Sequence, residues 1–140
     1  MDAPFGAGAD AAEEWVRSWS ASVSERAAQA QVMSQRVGDL TVSATGGHGA
    51  VEVTVAGSGT VTDLRLDDRV RDWSGERIAA EIMITMRRAQ ARLAEAVADV
   101  AAQTVGTDSE TGRAVVASYA TRFPAPPEDR VEDRRNPPWR

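Results

Sequence analysis

The chain has no cysteine and no lysine, and its only histidine is His48. Without cysteine there are no disulfides, no thiolate nucleophiles and no thiolate metal sites, which fits a reducing compartment. A single histidine argues against histidine-rich metal centres and against a Ser-His-Asp triad. No apolar run approaches the roughly 18–20 residues that span a bilayer. The opening MDAPFGAGAD lacks the basic and apolar regions of a secretory signal. These absences together predict a cytoplasmic protein with no membrane partner. Because lysine is missing, all sixteen cations are arginine. The bland reading is the codon usage of a GC-rich genome. The functional reading is a supply of bidentate phosphate contacts, and the count alone does not separate the two. A net charge of −5 argues against a generic polyanion binder, but local patches outweigh a total.

What is present centres on residues 50–66, AVEVTVAGSGTVTDLRL. Val51, Val53 and Val55 alternate with Glu52 and Thr54, the period-two pattern of a strand with one buried face. Gly57-Ser58-Gly59 breaks the run, and Thr62, Leu64 and Leu66 then alternate with Asp63 and Arg65. This reads as a β-hairpin. A weaker β-prone run, residues 40–45, precedes it across Gly46-Gly47-His48-Gly49. The expectation is a three-stranded antiparallel meander.

Long helical segments flank the meander. Residues 1–9, with Pro4, Gly6 and Gly8, are expected to be a flexible N-terminus. Asp10 and Glu13 make a capping-box pattern. From there to Gly38 an apolar stripe of Val16, Trp19, Val23, Ala30, Met33 and Val37 follows 3/4 spacing, interrupted at Arg26. A helix of about 28 residues is roughly 42 Å long. After the polar connector DDRVRDW, Ser74 is a good N-cap, though Arg77 leaves its capping box incomplete. Ala79, Ile82, Met86, Ala89, Leu93, Ala96 and Val100 then repeat with 3/4 spacing to about Thr104, and Gly106 ends the helix. Beyond it, Ala114 to Tyr119 suggests a short helical turn. FPAPPEDRVEDRRNPPWR, with five prolines and clustered charge, has too little apolar surface to offset its ordering entropy. The expected organisation is therefore residues 1–9 flexible, an α+β domain over 10–105, and a mostly disordered Pro-rich charged tail over 106–140. Strands of about six residues reach only about 20 Å, so both helices overhang the sheet with their stripes uncovered and the sheet keeps open edges. An obligate homodimer resolves both problems.

The order helix, meander, long helix, with GGHGAVEVTVAG followed by VTDLRLD and then the helix from Ile78 to Val97, resembles the YbaB/EbfC family of nucleoid-associated proteins. The resemblance covers residues 10–105. Thr85 or a neighbour stands where family members often carry asparagine. It implies an intertwined homodimer with a central sheet and projecting helix arms, located in the nucleoid, binding double-stranded DNA with little sequence preference and without catalysis. Some similar proteins serve instead as accessory proteins of type VII secretion systems, which makes a protein-interaction module on the same scaffold the alternative.

Candidate residues follow. Arg88 and Arg92 lie one helical turn apart with Arg87 alongside, and on a DNA-gripping arm they would meet phosphates. The bland alternative is a solvated face, with Glu95 pairing Arg92. Arg17, Arg26 and Arg36 on the first helix, spaced nine or ten residues apart, form a weaker DNA-binding set, of which Arg17 and Arg26 are the candidates. Trp15 and Trp19, an i, i+4 pair, read as dimer packing or as an anchor for another protein. Val51, Val53, Val55, Met86 and Leu93 are the other expected packing positions, and the C-terminal tail is a second possible docking segment. His48 reads as a turn residue, and the glycine cluster is no P-loop, because a strand follows it and no Lys-Ser/Thr does. Asp67, Asp68 and Asp72 lack EF-hand spacing. No acid/base pair or activated nucleophile emerges, so neither enzyme activity, cofactor nor metal is expected.

Overall fold

The computed structural model describes residues 3–126. In chain order the elements are α1 (Ala3–Gly38), β1 (Thr41–Gly46), β2 (Val51–Ala56), β3 (Val61–Leu66), a short 3-10 helix (Asp68–Asp72), α2 (Gly75–Thr104) and α3 (Glu110–Arg122). The strands form one antiparallel sheet in the order β1-β2-β3. The α+β meander between two long helices is therefore observed.

Two expectations need correction. α1 begins at Ala3, not Asp10, so Asp10 lies inside the helix. Pro4 falls in the first turn, where its missing N–H has no helical acceptor to serve. The segment after Gly106 contains a thirteen-residue helix, α3, where a mostly disordered tail was expected. Ser109 caps it by accepting from the Gly112 N–H at 2.9 Å, and Val115, Val116, Tyr119 and Phe123 pack against the core. Residues 127–140 of the expected tail lie outside the described residues.

The period-two reading of β2 holds: Val51, Val53 and Val55 are fully buried while their neighbours are half-exposed. α2 covers this face, laying a row of Thr85, Ala89, Leu93, Val97 and Ala101 on β1 and β2. The row steps by four, so it drifts around the helix and takes in Thr85 and Val97 while Ala79 stays exposed. Close approach at one end depends on glycine. A Cβ at Gly46 would overlap the Thr85 hydroxyl, which donates to the Glu81 carbonyl at 2.6 Å. Ser74 caps α2 as expected, accepting from the Arg77 N–H at 3.1 Å.

α1 joins the core only through its last turns, where Met33 and Val37 are buried and Arg36 donates to Gln103 at 2.6 Å. Its first half projects past α2, leaving Trp15, Val16, Trp19 and Val23 exposed. α3 doubles back along α2 and ends at the β2–β3 turn, where the Tyr119 hydroxyl donates to the Gly57 carbonyl at 2.6 Å. Gln90 of α2 reaches the same turn, donating to Gly59 at 3.1 Å. β3 is left uncovered. Leu64 and Leu66 pair with Val53 and Val51 and so share their face, yet they are 42% and 44% exposed.

Candidate nucleic-acid interface

The best cationic cluster of the sequence lies where α2 passes the edge strand β1. Arg92 donates to the Ser43 carbonyl at 3.0 Å, and Arg88 donates to the Thr45 carbonyl at 3.5 Å. Four residues of helix rise about 6 Å and two residues of strand about 6.6 Å. The i, i+4 arginines therefore match the i, i+2 carbonyls, and each guanidinium is held over the edge. The acid pairing weighed above is not found, since Arg92 forms no ion pair with Glu95 among the described residues. A guanidinium has five N–H donors, so one bond to Ser43 leaves Arg92 able to take an anion. Arg87 is exposed and makes no hydrogen bond or ion pair among the described residues.

Two clefts meet at Arg88. One, of about 470 Å³, is lined by Thr45, Arg88, Ala91, Arg92, Glu95 and Ala125. The other, of about 400 Å³, lies between the β1–β2 turn and α2, with Arg77 and Glu81 on its helical wall. Arg77 was not among the sequence candidates, although the signal was available. Arg77 and Arg88 are eleven residues apart, three turns of helix, and so share a face. The Arg77 guanidinium stacks 3.9 Å from the Trp73 ring centroid, and the Trp73 ring in turn packs against Gly47. The resulting band runs Arg77, Arg88, Arg92 along α2, with Glu81 and Glu95 interleaved.

The turn beside this band is conformationally tight. Gly47, His48 and Gly49 all have positive φ, at 59°, 57° and 86°. Glycine adopts this readily and histidine at some cost. Arg69 anchors the turn by donating to the His48 carbonyl at 3.1 Å. The Arg69 N–H also donates to the Asp67 carboxylate. That bond, reinforced by the Arg69 guanidinium, holds the Asp67 carboxyl below the usual carboxylate range. His48 is exposed, as a turn residue should be. No cluster of three or more metal-ligating side chains occurs among the described residues.

The first helix does not contribute to the band. Arg17 pairs with Glu13 at 3.5 Å on a fully solvated stretch, nineteen residues before Arg36 and so about 28 Å along the axis. Arg26 lies by the α2–α3 connection, with Val105 and Asp108. Of the expected packing residues, Val51, Val53, Val55 and Leu93 are wholly enclosed in the single chain's core and offer no outer surface. Met86 packs half-buried against that core. Trp15 and Trp19 stack on each other, centroids 6.4 Å apart and planes at 13°, and are 66% and 57% exposed. No helix among the described residues is long and apolar enough to cross a membrane.

The model of the YbaB/EbfC DNA-binding family matches residues 16–108, about two thirds of the chain. The matched range takes in most of α1, the whole sheet and α2, and stops before α3. No curated protein matches the chain.

Proposed function

This chain belongs to the YbaB/EbfC DNA-binding family, and from that premise we propose that it is a non-enzymatic, nucleoid-associated protein of the cytoplasm. It binds double-stranded DNA as a homodimer, with little sequence preference. The family match across α1, sheet and α2 carries this reading. The band of Arg77, Arg88 and Arg92, with Arg87 beside it, supports a site on α2. Guanidiniums fixed against a strand edge meet phosphates without first losing much side-chain freedom. Phosphate contacts carry no base information, in keeping with weak sequence preference. Arg17 and Arg26 have no such support, and the contact set is Arg77, Arg87, Arg88 and Arg92. A second copy is supported by the uncovered leucines of β3 and the projecting half of α1.

The test is fluorescence anisotropy with a labelled random-sequence duplex at low and physiological salt. Wild-type binding should weaken steeply with salt, and Arg87/Arg88/Arg92→Ala should lower the log–log salt slope by about 2–3, close to one per lost phosphate contact. Arg88 and Arg92 also hold β1, so Arg87→Ala runs beside the triple variant as a change that disturbs no internal bond. It should lower the slope by about 1 at unchanged melting temperature. Absence of duplex binding even at low salt would sink the DNA reading.

One observation favours a different reading, a protein-interaction module on the same scaffold. Two stacked, exposed tryptophans on an uncovered helix are the kind of aromatic anchor that dominates protein interfaces. Trp15→Ala/Trp19→Ala separates the two, because it should leave duplex affinity unchanged and abolish capture of a protein partner.

A further inference from the structure

The turn between β1 and β2 places the chain's only histidine in the wall of an arginine-lined cleft. His48 shares that cleft, of about 400 Å³, with Thr45, Arg77, Glu81 and Arg88. It is the one non-glycine residue with positive φ among the described residues, at 57°. The turn therefore holds a side chain where glycine would be less strained. Several contacts fix it there. Arg69 donates to the His48 carbonyl at 3.1 Å. The turn also closes on itself, the Gly49 N–H donating to Gly46 at 3.1 Å and the Ala50 N–H to Gly47 at 3.2 Å. Trp73 ties the turn to α2, because its ring packs against Gly47 and carries the Arg77 guanidinium 3.9 Å from its centroid. One ring thus sets the spacing between the histidine's turn and Arg77.

Charge around the imidazole is one-sided. From α2 the cleft receives Arg77, Arg88 and Glu81, and from β1 only the uncharged Thr45 and Gly46. Behind the turn, on the 3-10 helix side, Arg69 is paired with Asp67 at 3.2 Å. The side chains lining the cleft carry a formal charge of +1 with a neutral imidazole and +2 with an imidazolium. Imidazole is the side chain that ordinarily changes charge between pH 5 and 8. We propose that this cleft is a phosphate site, in which His48 joins Arg77 and Arg88 and takes up a proton as the phosphate enters. An anion among these groups favours the imidazolium, and by linkage the imidazolium favours the anion equally. Glu81 keeps the site weak while the imidazole is neutral. Duplex binding should then tighten as pH falls. That consequence rests on the proposed function, whereas the preference for a tetrahedral oxyanion does not.

The single histidine makes the test direct, because its imidazole Hε1 gives one resonance in the proton NMR spectrum of the full chain. Its titration midpoint should move to higher pH in sodium sulfate, compared with sodium chloride at equal ionic strength, and again with a random-sequence duplex. Anisotropy with that duplex should show binding about threefold tighter at pH 6 than at pH 8 for each histidine that meets a phosphate. The log–log salt slope should be steeper by about 1 per histidine at the lower pH. His48→Asn, a residue that tolerates positive φ, should lose this pH dependence, and Arg87→Ala should keep it. A midpoint unmoved by a duplex that does bind, or a pH dependence that survives His48→Asn, overturns the proposal. In a chain that binds no duplex, a midpoint raised by sulfate leaves the phosphate site standing and removes the DNA reading. A midpoint that sulfate leaves unmoved in such a chain removes both.

Discussion

Gly46 shows how much of this molecule depends on single contacts. It is the last residue of β1, pressed against Thr85 beneath the clefts that meet at Arg88. Thr85 is fully buried, and its hydroxyl is held by the Glu81 carbonyl, so it cannot swing aside without leaving a buried polar group unsatisfied. Gly46→Ala should therefore cost about 1–3 kcal/mol in urea unfolding. Thr85→Ala in the same chain should recover much of that loss, and additive losses in the double-mutant cycle would show that the two residues do not touch. Asp67 gives a pH signature. Its carboxyl is held below the ordinary range, so its contribution is complete above that range and is lost as pH falls through the depressed value. Asp67→Asn should lower stability at neutral pH, leave it nearly unchanged at the acid end and so flatten the acid limb, whereas an acid limb of undiminished slope would exclude the role. The sequence showed Arg87, Arg88 and Arg92 as a cluster because their spacing is local. It did not show that Arg88 and Arg92 lean on β1 carbonyls, since Ser43 and Thr45 lie more than forty residues away.

Among the elements, α3 departs furthest from expectation. The long helices and strands were legible because each buries one face and so repeats at its own period. α3 has the same kind of signal, with Val116, Tyr119 and Phe123 at 3/4 spacing after a Ser109 cap, but it is short and followed directly by prolines. Its partner, the turn at Gly57 to Gly59, lies some sixty residues upstream, where no local pattern reveals it. α3 acts there as a staple. The Tyr119 hydroxyl donates to Gly57, and Arg122 donates to Ser58 while lying over the Tyr119 and Phe123 rings. Tyr119→Phe keeps the ring and removes one bond, so it should cost about 1 kcal/mol and speed amide exchange at Gly59, with exchange in β1 unchanged. Uniform acceleration across the sheet would mean that the turn is not the place where α3 acts. α1 was misplaced at its start for the opposite reason, since Gly6 and Gly8 looked like breakers and the helix runs through them.

At the scale of the whole molecule, the two edges of the sheet are not equivalent, and this decides how the proposed second copy joins. On β1, Arg88 and Arg92 occupy carbonyls that an incoming strand would need. α2 also covers the inner face of β1 and β2. On β3 nothing comparable is present among the described residues, and the inner face there shows Val61, Leu64 and Leu66, each 40% exposed or more. An open edge with an apolar face is a template for association, so the homodimer should form through β3 and leave the arginine band on the outside. In a two-fold interface every residue counts twice. Leu64→Asp/Leu66→Asp thus removes four apolar side chains, each worth about 1.5 kcal/mol or more when buried, and should raise the dimer dissociation constant about 10⁴-fold. Light scattering after gel filtration should then give the mass of one 14.9 kDa chain where the native protein gives two. The single-chain core, which includes neither leucine, should keep its circular dichroism. A variant that stays dimeric would move the interface to the projecting half of α1, where Trp15→Ala/Trp19→Ala should dissociate it instead.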